Sequence, residues 1–251
     1  MTEDKFDRQK RVEGWDQQAV ERQRVCIVGA GALGNEIVKL LAQLGVKELA
    51  LIDYDQVTHA NLNRCVFFTE KDAAEQKLKT QAISEGVKRI SAIQIKPIEQ
   101  RIEFLPDGFY GQFDVVFSGL DNLGARLHLN AHCYGKTFMI DGGTTGFHGK
   151  VQSVLSPSAC VECGFTKRDY KLLWKKYSCV GEVLDYLNPA MPALATTTSI
   201  IAGLQVNEFI KFAHGKKEEL LVGKYLFVDG LKNEFSLFDI PKRKNCPVHG
   251  T

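Results

Sequence analysis

One short stretch near the start of the chain constrains the fold most. Val25-Cys26-Ile27-Val28 is an unbroken apolar run, followed at once by Gly29-x-Gly31-x-x-Gly34. Such a run suits a parallel strand buried on both faces. The glycines then divide the work. The first permits a tight turn, the second lets a phosphate approach the backbone, and the third lets a helix pack close to the strand. A helix starting there aims unbonded N–H groups and a partial positive charge at that phosphate. Alone, the motif indicates a nucleotide, most commonly a dinucleotide.

The flanking pattern completes a βαβ unit. Ile37, Leu40, Leu41 and Leu44 recur at helical spacing, which predicts a helix over 32–44 with Gly45 as its C-cap. Residues 49–52 form a second apolar strand ending at Asp53, where a carboxylate can take the ribose hydroxyls of a nucleotide. Upstream, Asp16 is placed to cap a short helix reaching Arg22. Downstream, 72–89 reads as one helix with Ile83, Val87 and Ile90 on its apolar face. Residues 92–98 read as a strand and Pro106-Asp-Gly as a turn. Phe113 to Phe117 is a buried strand running into Ser118-Gly-Leu-Asp121-Asn122. A helix over 126–134, a strand over 138–140, a turn at Asp141-Gly-Gly and a strand over 150–155 follow. The helix expected over 197–214 carries Ile200, Ile201, Leu204, Glu208 and Phe212 on its face, and two strands flanking Gly230-Leu-Lys-Asn233 close the chain as a hairpin. This alternation predicts an α/β protein: a doubly wound, Rossmann-like, mostly parallel sheet with a C-terminal antiparallel hairpin.

Charge and cysteine usage narrow the function. A net charge of +2 gives no footprint of a dedicated nucleic-acid or membrane binder. The polar start of the chain has no signal-peptide core and no apolar run reaches the length of a membrane span, so a cytoplasmic protein is expected. In that compartment seven cysteines point to metal binding or catalysis more than to disulfides.

Three constellations carry chemistry. Arg64 in Asn61-Leu-Asn-Arg64, Lys77 before the next helix, and Asp121-Asn122 with Arg126 all follow strand ends, where a doubly wound sheet forms its binding crevice. A dinucleotide needs few cations, whereas a triphosphate with Mg²⁺ needs several cations and a carboxylate for the metal. The set therefore favours ATP over NAD, with an NAD-dependent oxidoreductase as the distant alternative. Second, Cys160-Val-Glu-Cys163 and Cys246-Pro-Val-His249 share a two-residue gap, the spacing of a structural Cys₃His zinc site; a redox C-x-x-C is the alternative. Third, Cys179 in Tyr177-Ser-Cys-Val-Gly181 lies in an irregular span and outside the zinc pairs, as a nucleophile would. Cys26, Cys65 and Cys133 sit in predicted elements and read as core residues.

Together these residues resemble the ThiF/MoeB-like activating enzymes and the adenylation domain of ubiquitin-activating enzymes. The likeness runs from Phe6-Asp-Arg8-Gln9 through the glycine turn, Asp53-Tyr-Asp55, Asn61-Leu-Asn-Arg64, Glu75-Gln-Lys77, Asp121-Asn122 with Arg126, the zinc knuckles, and Gly203-Leu-Gln205 with Glu208. The resemblance implies ATP- and Mg²⁺-dependent adenylation of the C-terminal Gly-Gly of a ubiquitin-like protein, or of a sulfur-carrier protein in cofactor or tRNA thiolation. It implies that Gly29, Gly31 and Gly34 cradle ATP and that Asp53, with Asp55, holds the ribose side. Asn61, Arg64 and Lys77 would hold the phosphates, beside Asn122 and Arg126, and Asp121 would organise Mg²⁺. Arg8 would reach a neighbouring subunit's site, which implies a homodimer. Cys179 would form a thioester, with a conjugating enzyme as a further partner. It stands where the sulfur-carrier members place their cysteine and several residues ahead of the ubiquitin-type position, while Ala190-Met-Pro192 resembles a crossover loop. The expected organisation is one minimal activating domain over 1–251. It comprises an arm (1–23), a nucleotide-binding core (24–155), a zinc knuckle and crossover loop (156–196), and a helix, hairpin and zinc-binding tail (197–251).

Overall fold

The structure is a computed structural model and describes residues 4–170 and 192–250. Eight strands make one sheet in the order β3-β2-β1-β4-β5-β6-β7-β8. The strands are β1 (Val25–Val28), β2 (Glu48–Ile52), β3 (Gln94–Ile98), β4 (Val115–Ser118), β5 (Phe138–Thr145), β6 (His148–Val154), β7 (Lys224–Asp229) and β8 (Glu234–Asp239). The first five run parallel and the last three continue antiparallel. Chain order reverses direction across the sheet between β1 and β4, so a crevice opens beyond their C-terminal ends.

The all-apolar β1 is buried on both faces, as its sequence requires. Val25 and Ile27 join a core under helices α3 (Ala32–Leu44) and α7 (Ala195–Ala213), while Cys26 and Val28 join a second core under α6 (Leu123–Cys133) and the Cys160 knuckle. The buried face of α3 is centred on Ile37, Val38 and Leu41, and Gly45, at φ 96°, closes it in the left-handed region. The short helices are α1 (Asp7–Lys10), α2 (Gln17–Glu21), α4 (Glu70–Ala74) and α5 (Lys79–Gly86). Asp16 caps α2 by accepting from the Gln18 N–H.

Three sequence expectations need correction. The helix expected over 72–89 is broken into α4, α5 and a 3-10 turn at Val87–Arg89. Gln76 turns left-handed at φ 49°, and Lys77 leaves the helix to accept from the Val57 N–H. The pattern contains the reason: a continuous helix through Ala73, Thr80, Ile83 and Val87 would carry Gln76 and Lys77 on its apolar face. The Asp141-Gly-Gly turn is instead the middle of β5. Both glycines serve close packing: a Cβ on Gly142 would lie 2.3 Å from Gln205, and one on Gly143 3.2 Å from Arg126. On α7 the buried face is Thr197, Thr198, Ile201, Ala202, Gln205, Val206, Glu208 and Phe209, and Ile200 is exposed. The polar members are satisfied in the core: Gln205 donates to the Ser118 and Ile140 carbonyls, and Glu208 accepts from Ser153 and the Leu221 N–H. The expected C-terminal hairpin forms over Gly230 to Asn233.

Candidate nucleotide crevice and metal cluster

The glycine turn is shaped by contacts that side chains would destroy. A Cβ on Gly34 would sit 2.0 Å from the Gly29 carbonyl, and Gly29 itself, at φ 100°, lies against the Gly119 backbone. Gly31 faces open space, which is where a phosphate can approach. Asp53 closes the turn from β2: its carboxylate accepts from the Ala30 N–H at 2.7 Å and the Asp55 N–H at 2.8 Å. Burial nevertheless holds its pKa above the ordinary value, against the pull of Lys79 and these two donors.

Lys79 is the residue that the sequence reading missed. It is the first residue of α5 and only 12% of its side chain is exposed. Its ammonium pairs with Asp55 at 2.7 Å, and its main-chain N–H donates to the Asp55 carbonyl. Burial opposes its charge. The carboxylates of Asp53, Asp55 and Asp121 more than offset that, so its pKa is raised. One cation is thus held among three acids at the ends of β2 and β4. Lys77 is elsewhere. It pairs with Asp72 and Glu85 and lines a separate cavity of about 280 Å³ with Phe67, Thr69 and Arg89. The signal for Lys79 was present in the sequence: the helical spacing of Ala82, Ile83 and Val87 begins at this residue.

The other expected residues divide in the same way. Asp121 stands exposed after β4 and contributes to the field at Lys79. Asn61 caps its own turn, accepting from Thr58. Arg64 folds back on that loop, donating to the Ala60 carbonyl at 2.5 Å and to Asn63 at 2.8 Å. Asn122 is the N-cap of α6 and accepts from the Ala125 N–H. Arg126 is buried and grips Asp141 of β5 through two hydrogen bonds. Asn122 and Arg126 thus both have partners within the fold, the first as a helix cap and the second with Asp141. Arg8 lies on exposed α1 near Asp7. Cys179 lies outside the described residues.

The metal set does come together. Ligand atoms of Cys160, Cys163, Cys246 and His249 all lie within 4.8 Å of one another. Sγ of Cys160 is 3.6 Å from Sγ of Cys246 and 3.9 Å from Sγ of Cys163, and Nε2 of His249 is 3.2 Å from Sγ of Cys163. Thiolates about 2.3 Å from a tetrahedral zinc would be separated by about 3.8 Å, so the donors fit that ion. Burial pushes the Cys160 thiol up to about 12, a cost that a bound dication would remove by taking the thiolate. The knuckle is braced from outside. Asn130 accepts from the Val161 N–H, Tyr134 stacks on His249 with centroids 4.8 Å apart, and Arg243 donates to the Glu162 carbonyl. Cys26, Cys65 and Cys133 are core thiols whose pKa burial raises, which makes them poor nucleophiles.

A sheet of this order with a glycine turn, an acid-held lysine at the crevice and a tail-to-knuckle Cys₃His cluster defines a class, and the comparisons agree. The chain belongs to the ThiF family, whose model matches residues 6–248. It is 34% identical over 155 residues to the NEDD8-activating enzyme E1 catalytic subunit of Arabidopsis thaliana, covering 56% of this chain and 34% of that protein. It is 31% identical over 151 residues to the ubiquitin-activating enzyme E1-like protein of Saccharomyces cerevisiae, covering 58% and 23%. The chain thus spans about a third or less of these two relatives. Among solved structures, E. coli MccB crystallised with ATP aligns with TM-score 0.80 at 22% identity, over 100% of this chain and 75% of that one. This likeness shows the fold.

Proposed function

We propose that this chain activates the C-terminal carboxylate of a ubiquitin-like protein by adenylation with ATP and Mg²⁺. The observation that carries the reading is Lys79, largely buried at the mouth of the glycine turn among Asp53, Asp55 and Asp121. Hydride transfer has no use for such a charge set. Attack on a triphosphate does, because negative charge develops on the phosphates as pyrophosphate leaves. In this reading the turn N–H groups and Lys79 hold phosphate, Asp53 holds ribose, and Asp121 serves Mg²⁺. Arg64 swings from its own loop to the phosphates when they arrive. The substrate carboxylate oxygen attacks the α-phosphorus, the bond to the β-phosphate oxygen breaks, and pyrophosphate departs. The resulting mixed anhydride is open to a thiolate. Cys179 then attacks the acyl carbon, AMP leaves, and a thioester remains.

The relatives named as NEDD8-activating subunits support activation of a ubiquitin-like protein; a Gly-Gly end on that protein, a cytoplasmic setting and a conjugating enzyme downstream are part of the proposal. Zinc in the Cys₃His cluster ties the tail to the centre of the chain. A homodimer with Arg8 acting across subunits completes the proposal. Radiolabelled pyrophosphate exchange into ATP, with a panel of Gly-Gly-ended proteins, tests the first step; no exchange with any of them contradicts it. Cys179→Ser is expected to keep exchange and lose the reducible enzyme–substrate adduct. Exchange with no adduct in the unaltered chain would assign it to sulfur-carrier chemistry instead. Mixing Arg8→Ala with Lys79→Ala chains is expected to restore part of the activity if sites are shared.

A further inference from the structure

Lys150 is a cation that, among the described residues, has acids in its field but none bonded to it. It lies on β6 directly opposite Gly143 of β5 and Phe227 of β7. Opposed residues on antiparallel strands share a face, and a Cβ on Gly143 would point at the Arg126 guanidinium, so Lys150 projects to the same side as Arg126. Asp141, on the same face, accepts two hydrogen bonds from Arg126 and none from Lys150. Among the described residues Lys150 makes no ion pair and no side-chain hydrogen bond. Burial lowers its pKa, and so does the neighbouring Arg126 charge; Asp141 and Asp169 only partly oppose them. A largely buried cation without a partner is costly to a fold and is rarely kept without an anion to meet it.

Its place in the sheet says which anion. Strands lie about 4.8 Å apart, and β6 is two strands from β4 and three from β1. Lys150 is therefore displaced sideways from the turn that takes the nucleotide phosphates, toward the antiparallel half. On that side Gly143 puts no side chain between Lys150 and the Arg126 guanidinium, and two aromatic stacks flank the lysine: His148 on Phe227 at 5.7 Å and Tyr225 on Phe238 at 5.0 Å. A strand surface with aromatic walls and a side-chain-free position at Gly143 suits the end of an extended peptide, and an ammonium with no hydrogen-bonded partner among the described residues suits its carboxylate.

We propose that Lys150 is a positioning and specificity residue that captures the free C-terminal carboxylate of the incoming polypeptide and delivers it to the crevice. This rests on the adenylation reading for the fate of the carboxylate, though not for its capture. The test uses a synthetic peptide ending in Gly-Gly with a free carboxylate, the same peptide as its C-terminal amide, and the intact chain. In amine-acetylation footprinting read by mass spectrometry, the acid is expected to protect Lys150 and the amide is not. In pyrophosphate exchange, Lys150→Met is expected to raise the KM for the polypeptide tenfold or more while leaving the KM for ATP within twofold, and Lys150→Arg to recover much of the loss. Equal protection by acid and amide, or none by either, overturns the proposal. So does a Lys150→Met chain with unchanged polypeptide KM, and in that case the adenylation reading stands. Selective protection by the acid without any exchange keeps the carboxylate site and removes the adenylation reading.

Discussion

The crevice and the Cys₃His cluster face opposite problems. At the crevice, charged groups already have partners inside the protein: Lys79 sits among three acids, Asp53 accepts two backbone donors, and the surroundings are half open to water. At the cluster, four ligand atoms converge within 4.8 Å of one another in a largely buried site, with Nδ1 of His249 unpaired among the described residues. The first region is built to exchange its contents, since an arriving anion only rearranges existing pairs. The second is built to hold one thing permanently, since its donors are better satisfied by a cation than by one another. Stability should therefore depend on the cluster, and activity on the crevice.

The largest effect expected is from breaking the cluster. Structural zinc contributes on the order of 10 kcal/mol or more to folding in small zinc modules. Cys246→Ser, or prolonged chelation, is expected to unfold the tail and lower Tm by more than 10 °C in calorimetry, with about one zinc per chain released. Retention of the full Tm after complete metal removal would separate the cluster from stability. Next comes the buried pair beneath the crevice. Asp141→Asn strands the Arg126 guanidinium, and breaking such a pair costs about 3–5 kcal/mol; denaturant unfolding is expected to show that loss. Glu103→Gln, at an exposed pair with Arg101, serves as the contrast and should cost under about 1 kcal/mol.

The smallest stability effect sharpens the contrast from the other side. Burial raises the Asp53 pKa above 3.8, so folding favours its protonated form. That contribution is complete below the ordinary value and is lost as pH rises through the raised one. Asp53→Asn, which stays neutral and keeps one acceptor, is therefore expected to have a Tm at pH 7 equal to or above the wild type. The difference should vanish below pH 3.8. The same variant should bind ATP at least tenfold more weakly, because its ribose acceptor is altered. A marked loss of stability at pH 7 would mean that Asp53 is a structural strand end after all.

What the sequence made legible was whatever spacing alone encodes. Gly29, Gly31 and Gly34 after a buried strand, the α3 stripe, Asp53 at the end of β2, and the two metal pairs are local patterns, and the fold realises each of them. What it hid depends on partners distant in the chain. Gly142 and Gly143 look like a turn until Gln205 and Arg126 are seen to need the space. Arg126 follows a strand end as a phosphate ligand would, and only the fold shows that it is also bonded to Asp141. Lys77 and Lys79 differ by two residues, yet the left-handed Gln76 turns the first toward Glu85 and leaves the second beside Asp53 and Asp55.

That pair of lysines offers the most direct measurement. Pyrophosphate exchange into ATP should be assayed in the unaltered chain, Lys79→Ala and Lys77→Ala, with the Gly-Gly-ended protein that supports it best. Losing one preorganised cation from a developing phosphate charge costs about 10²–10³-fold in rate. The account predicts that loss for Lys79→Ala, and activity within about threefold of the unaltered chain for Lys77→Ala. Full exchange by Lys79→Ala, with the loss falling on Lys77→Ala, would contradict it.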